Sequence, residues 1–428
     1  MKDHSCHSPE HDITRRRMLG GLAGGTGAFV GLGNLLRPAV AEEIKKKQKQ
    51  VLLVWTDGGM SQYESWYPKP GTEFGGPMRA IPTSVDGIQF SELLEHTAKQ
   101  AHHLAVIRSM STFDENHSSG VPRILRGDPP NRGVNYPHIG SAISSFVHGP
   151  ENQLPPYVHI KPYNSGFHYK DAGFLDPKWG ALALGEGKPP ENIHMGEELT
   201  GEVVEARNEL REQHNKRFAK RRRRSSIDAH AQAYNMAAQL MDNVDLFDDR
   251  NLSEKDKDRY GHTQLGRHLL QARRLLEAGT TFVRVTSYHW DTHADNFNAH
   301  MRLMPQFDKA FASIIEDLDE RGMLEHTLVI AMCEFGRTPK INFKLGRDHW
   351  PGSWSMAVAG CGINKGLTIG ETDPRGIDVT SDPYDVGHLY YTLFQALGLN
   401  PKAKYSHKGQ SLHAINPECY DTIKGLLA

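Results

Sequence analysis

Short continuous apolar runs recur along the chain at residues 51–55, 104–107, 281–285, 328–332 and 356–359, each bounded by polar or turn-forming residues. Runs of this length without alternation fit strands buried on both faces, as in a parallel sheet. Between them the apolar spacing becomes helical. Residues 264–278 carry Leu265, Leu269, Leu270, Leu275 and Leu276 near helical spacing, with Gly279 as a stop. Residues 308–321 place Phe311, Ile314, Ile315 and Leu318 on one face ahead of Gly322. Strand, helix and strand in this order predict a doubly wound α/β layer architecture.

Two regions break the pattern. Residues 128–200 are rich in Pro and Gly and read as loops and short elements over one edge of the sheet. Residues 200–262 are charge-dense and read as a helical insertion; they contain Lys220-Arg221-Arg222-Arg223-Arg224, which fits a solvated face better than a phosphate-binding patch. At the start of the chain, Thr14-Arg15-Arg16-Arg17 precedes a glycine-diluted apolar run to Leu36 and then Pro38-Ala39-Val40-Ala41. These are the parts of an export signal of the twin-arginine (Tat) type, too glycine-rich for a stable membrane span. Residues 1–41 are therefore the expected leader and 42–50 a charged spacer. The remainder, 51–428, is the expected folded domain of a periplasmic or extracellular protein.

Composition narrows the chemistry. With 50 Lys+Arg against 51 Asp+Glu, the net charge of −1 gives no global field for nucleic acid. The four cysteines, Cys6, Cys333, Cys361 and Cys419, are irregularly spaced and support neither a disulfide scaffold nor a Cys-rich zinc module. Cys333 and Cys361 lie in apolar runs and are expected to be buried thiols. Any metal must therefore be held by carboxylates and the 24 histidines.

The candidate ligands follow the apolar runs. The first run leads into Asp57-Gly58-Gly59, the third into His289-Trp290-Asp291-Thr292-His293, and the fourth into Glu334-Phe335-Gly336-Arg337. The carboxyl edge of a parallel sheet is where sites form. In extended geometry His289, Asp291 and His293 share one face, so that Asp291 and His293 can hold one ion. His349, in Arg347-Asp348-His349-Trp350, lies in a loop that can swing back over the sheet. His117 and Ser118 follow the second run and offer a nucleophile, an acid/base or a further ligand. Each has a plainer reading: Asp57 as a turn residue, Glu334 with Arg337 as an ion pair, and Ser118 beside His117 as too local for a triad. No Gly-x-Ser-x-Gly elbow, Walker loop or Rossmann fingerprint occurs in a fitting context.

Several stretches together resemble the DUF1501 proteins of the alkaline phosphatase-like (sulfatase-like) superfamily. They are Gly58-Gly59-Met60-Ser61-Gln62, residues 116–127, Ala172-Gly173-Phe174-Leu175, Asp258-Arg259-Tyr260-Gly261, Trp290-Asp291-Thr292-His293, Glu334-Phe335-Gly336-Arg337-Thr338-Pro339 and Gly346-Arg347-Asp348-His349-Trp350. The resemblance implies an α/β/α sandwich around a central, mostly parallel sheet, with one or two metal ions at strand ends. It points to Asp57, Asp291, His293, Glu334 and His349 as ligands. Phe335 stands where superfamily members commonly carry a ligating histidine, and no formylglycine signature is in register. The reading is an exported, metal-dependent hydrolase of phosphate or sulfate esters on small molecules or glycans. His117 or Ser118 would serve the chemistry, and Arg337 would clamp the oxyanion. Zinc suits the mixed N/O donors, and calcium, magnesium or manganese would suit a more oxygen-rich set. The alternative is a catalytically silent scaffold that binds a ligand, glycan or partner protein outside the cytoplasm.

Overall fold

Each of the five apolar runs is a strand of one sheet. The structure, a computed structural model, describes residues 48–127, 134–149, 152, 154–162, 171–188, 201–219, 241–247, 252–415 and 421–428. The expected leader, the basic run at 220–224 and Cys419 lie outside the described residues. In chain order the strands are β1 Gln50–Thr56, β2 Leu104–Met110, β3 Tyr157–Lys161 and β4 Leu182–Gly185. They continue with β5 Phe282–Ser287, β6 Thr327–Met332, β7 Trp354–Ala359 and β8 Leu367–Ile369. They hydrogen-bond side by side in the order β8-β2-β7-β6-β1-β5-β3-β4. Every neighbouring pair is parallel except those made by β7, which runs antiparallel to β2 and β6.

The strand side chains divide strictly by period two. Leu52, Val54, Val283, Val285 and Val329 enter one buried cluster, and Val51, Leu53, Trp55, Phe282 and Ile330 enter the other. The first cluster is closed by α1 Glu95–Lys99, α5 Glu254–Tyr260, α6 Gln264–Ala278 and α7 Asn296–Glu320. The second is closed by α2 His117–Arg126, α3 Ile139–Val147 and α8 Val386–Ala396. Apolar helices on both faces of a mostly parallel sheet make the expected α/β/α sandwich.

α6 has the bounds its periodicity predicts, because its ends are locally encoded: the Thr263 hydroxyl accepts from Gly266 N–H, and Gly279 closes it in the left-handed region at φ 112°. α7 starts at Asn296 rather than near 308, with Pro305 inside it. Burial of Met304 and Phe307 on either side of Pro305 outweighs the hydrogen bond that the proline removes. The described part of residues 128–200 holds α3, β3 and β4. β3 is buried along its whole length between β5 and β4, and it escaped the hydropathy pattern because it is short and alternates through His159 and Lys161. In the charge-dense stretch, α4 Gly201–Ala219 is a largely exposed helix, whereas α5 packs its Tyr260 into the core. Cys333 and Cys361 are buried and unbridged. No described helix is long and apolar enough to cross a membrane.

Candidate metal centre

β6, β1 and β5 lie side by side and parallel, so their carboxyl ends open on one edge. β1 delivers Asp57 there, β5 delivers Asp291 and His293, and β6 delivers Glu334. Because β7 is antiparallel, the segment before it arrives at the same edge with Asp348 and His349. β2 runs parallel to β6 and leads through residues 111–116 to His117, the first residue of α2. The approach is close enough to require glycine. A Cβ on Gly58, which has φ +107°, would lie 2.5 Å from the backbone nitrogen of Asp291, and one on Gly346 would overlap the carbonyl of His293.

Three imidazoles converge on Asp291. His293 Nε2 and His349 Nε2 each lie 3.1 Å from its Oδ1, and His117 Nε2 lies 3.4 Å from its Oδ2. The Nε2 atoms of His293 and His349 are 3.0 Å apart. Each ring is held from behind through Nδ1. His349 donates to the Glu115 carbonyl at 2.6 Å, His293 to Asp348 Oδ1 at 2.6 Å, and His117 to Glu334 Oε1 at 2.8 Å. The Glu115 carbonyl and the Asp348 carboxylate accept, so His349 and His293 carry a proton on Nδ1, and Nε2 is the atom turned to Asp291, as a lone pair on a neutral ring and as a second N–H donor on a protonated one. Neutral rings this close would set lone pairs against one another, so a proton or a metal ion belongs among them. The donor atoms of His117, Asp291 and His349 lie within 4.8 Å of one another, as the ligands of one ion would.

The electrostatics agree. Burial alone would raise the Asp291 pKa, but hydrogen bonds from His117, His349 and Arg337 hold its carboxyl well below the usual carboxylate range. Hydrogen bonds to Asp291 and Glu334 lift His117 to about 9, so without a metal a proton takes the Nε2 position. Glu334 is fully enclosed; burial pushes its pKa up despite the His117 contact, and its Oε1 also accepts from Gly58 N–H at 2.9 Å.

The expected ligands thus fall into two groups. Asp291, His293 and His349 come together, and His117 joins them. Glu334 stands behind His117, and Asp57 turns its Oδ1 to Trp55 Nε1 at 2.9 Å. Extended geometry does not reach His289, where φ is 77°. From Trp290 onward the alternation holds, with Trp290 and Thr292 buried and Asp291 and His293 facing out. Ser118 is exposed on the first turn of α2, where its backbone N–H is capped by Asn116 Oδ1 at 2.8 Å.

Arg337 differs from a substrate clamp. Its guanidinium is fully buried and donates to the carbonyls of Gly58, Gly59 and Arg347 and to Asp291 Oδ1 at 2.6 Å. It binds the first loop to the ligand loop. Arg347 does the same one layer deeper, enclosed with Glu64 at 2.9 Å and donating to the carbonyls of Thr338, Pro339 and Phe74. Sequence reasoning did not single out the Glu64–Arg347 pair, and the only available signal was two charges inside otherwise apolar or glycine-rich motifs. Phe335 packs its ring 4.3 Å from that of His349 and 5.0 Å from that of His117.

An α/β/α sandwich with a His/Asp centre at the carboxyl edge of its sheet is the class that fold and site define. Residues 48–419 match the family described as "Protein of unknown function (DUF1501)", and the chain belongs to that family. Among curated proteins none matches. Solved structures to which it is similar are members of the alkaline phosphatase and sulfatase superfamily. The PsFucS1 sulfatase from Pseudoalteromonas sp. is 11% identical with a TM-score of 0.41, covering 98% of this chain and 77% of that one. Alkaline phosphatase from the Antarctic bacterium TAB5 is 14% identical with a TM-score of 0.37, over 83% of this chain and 99% of that one. The C-terminal periplasmic domain of EcEptC from Escherichia coli, in complex with zinc, is 8% identical with a TM-score of 0.40, over 89% and 92%.

Proposed function

We propose that the protein is an exported, metal-dependent hydrolase of phosphate or sulfate esters carried by small molecules or glycans. The observation that carries this reading is the convergence of three Nδ1-tethered imidazoles, Nε2 first, on the ionised Asp291. Three nitrogens and a carboxylate oxygen are a zinc-like donor set, and the oxygens tying each Nδ1 are the outer partners such ligands use. His117, Asp291, His293 and His349 would hold the cation, which when bound supplies Lewis-acid polarisation of the ester and neutralises charge on its oxygens. Phe335, packed against two of the rings, favours one ion over two.

The rest of the chemistry belongs to the chain. Arg337 fixes the orientation of Asp291 and keeps it ionised. Glu334 fixes the His117 ring. Ser118, exposed beside His117 on the first turn of α2, offers a hydroxyl at a helix end that favours anions. Net hydrolysis breaks the P–O or S–O ester bond, places the hydroxyl of water on phosphorus or sulfur and returns a proton to the departing alcohol. Export is supported by the arginine-led, glycine-diluted leader at residues 14–41.

A second reading, a silent scaffold that binds a ligand outside the cytoplasm, draws on two observations. Arg337 is enclosed by protein, and the Ser118 hydroxyl meets no base among the described residues. The test is metal analysis of the exported protein, purified without chelator, beside Asp291→Ala/His293→Ala. About one equivalent of zinc in the wild type, lost from a folded double variant together with turnover of aryl phosphates or sulfates, supports the hydrolase. Retained metal with no turnover on either ester class favours the scaffold. A wild-type protein that takes up no zinc, manganese or calcium on dialysis ends both the metal assignment and the hydrolase.

A further inference from the structure

A second polar cluster lies on the α2 side of the sheet, away from the metal centre. On β5 and β3 the residues facing this layer begin as apolar or aromatic, Phe282 and Tyr157, and then become charged or polar: Arg284 and Thr286 on β5, His159 and Lys161 on β3. The register sets His159 directly against Arg284, and period two carried along both strands brings Lys161 level with Thr286. The His159 Nε2 lies 2.8 Å from Thr286 Oγ1. Above them His138 Nδ1 lies 3.0 Å from Asp171 Oδ1. Trp55 separates this cluster from the metal centre, with Arg284 5.0 Å over its ring and its Nε1 donating to Asp57.

The cluster is enclosed and carries an excess of positive charge. Arg284 and Lys161 are each only 3% exposed, and His138, His159 and Asp171 are buried too. Arg284 donates to the Tyr157 hydroxyl, but its Nε is enclosed without a partner, and no carboxylate pairs with Lys161 among the described residues. Asp171, the one carboxylate here among the described residues, lies against His138 and can balance one of the two cations, which leaves one positive charge over. Burial, together with the charges of Arg284, Lys161 and His138, drives the His159 pKa well below its ordinary value, so that ring is a neutral donor or acceptor rather than a third cation. A buried cation without a counter-charge costs several kcal/mol. A guanidinium, an ammonium and neutral imidazoles brought together on one side of two paired strands suit a ligand with several acceptor oxygens.

We propose that Arg284 and Lys161, with the imidazoles of His138 and His159, hold a small tetrahedral oxyanion, phosphate or sulfate, on the α2 side of the sheet. This site is independent of the metal centre and does not require the chain to be a hydrolase. It supplies the counter-charge that the fold leaves out, joining β5 and β3 at the end from which β5 runs on to Asp291.

The experiment is thermal unfolding of the full mature protein against sodium phosphate and sodium sulfate, with chloride at matched ionic strength. The same titrations are run on Asp291→Ala/His293→Ala, Lys161→Gln and Arg284→Lys. A saturable rise in Tm beyond the chloride control, in the wild type and equally in the metal-centre double variant, is expected. Lys161→Gln should weaken the midpoint at least about tenfold, and Arg284→Lys, which keeps charge but loses the fork, should fall between. The proposal is overturned if the wild type shows no response beyond chloride, if both cation variants respond as the wild type does, or if only the double variant loses the response. Should Lys161→Gln fail to fold without anion, Arg284→Lys decides between the same outcomes.

Discussion

Arg337 ties two loops of the proposed metal centre together while it is itself enclosed by protein. Burial pulls its pKa down, and contact with the Asp291 carboxylate pulls it back, so the pair is held as charges inside the protein. Arg337→Met removes the donor that orients Asp291 while keeping much of the volume. Zinc affinity should fall by about 10–100-fold, the usual loss when an outer partner of a ligand is removed. Competition with a chromophoric chelator reads this directly. Unchanged affinity would mean that the three imidazoles position Asp291 unaided. Residue type and spacing pointed to Asp291, His293 and His349. They could not show that His117 joins them while Glu334 stands behind it, because one residue comes from a helix start and the other from a strand end more than 200 positions away.

Among the elements, the packing of α5, α6 and α7 turns on Asp317. Its buried carboxylate receives Tyr260 Oη at 2.8 Å from α5, Arg273 Nε at 3.2 Å from α6, and Arg321 Nε at 2.8 Å from just beyond its own helix. Burial raises its pKa, but the hydrogen bonds and charges of Arg321, Tyr260 and Arg273 outweigh that and leave it lowered. With a folded pKa below the unfolded value of about 3.9, its contribution is present above that pH and is lost as pH falls through the folded value. Asp317→Ala should cost about 3 kcal/mol, because Arg273 and Tyr260 stay buried without their partner. Urea unfolding at neutral pH measures it, and a loss under about 1 kcal/mol would show that Glu277 and Asp256 take over Arg273. The Asp258-Arg259-Tyr260 motif was legible as part of a family pattern. Its partner across the helix layer was not, since an acid in the last turn of α7 looks in sequence like any solvated helical residue.

At the scale of the whole molecule, two sets of histidines oppose each other in pH. Burial lowers the pKa values of His138, His159 and His300, and takes His268 to about 4. Folded values below the unfolded value of about 6.5 mean that stability is full above that pH and drains away as pH falls from about 6.5 towards 4. His117, raised to about 9, has the opposite sign: its stabilisation is full below about 6.5 and is lost as pH rises through about 9. The metal-free protein should therefore be most stable near neutrality and lose Tm on both sides. Scanning Tm from pH 5 to about 9 in chelator tests this, and a flat profile on the acid side would mean that the buried rings open to water before the fold is lost.

The parts of this protein that local chemistry dictates could be read without a fold. Continuous apolar runs mark strands buried on both faces, Thr263 and Gly279 mark the ends of a helix, and acids and histidines after strands mark the edge where a site forms. Those signals act over a few residues, so sequence carries them intact. Which ligands meet was decided only in three dimensions. The antiparallel turn of β7 brings His349 to the shared edge, the short strand β3 brings His159 beside Arg284, and two glycines let three loops touch. Each depends on pairing between segments far apart in the chain, where the energy of a contact belongs to the folded arrangement and to no single stretch of sequence.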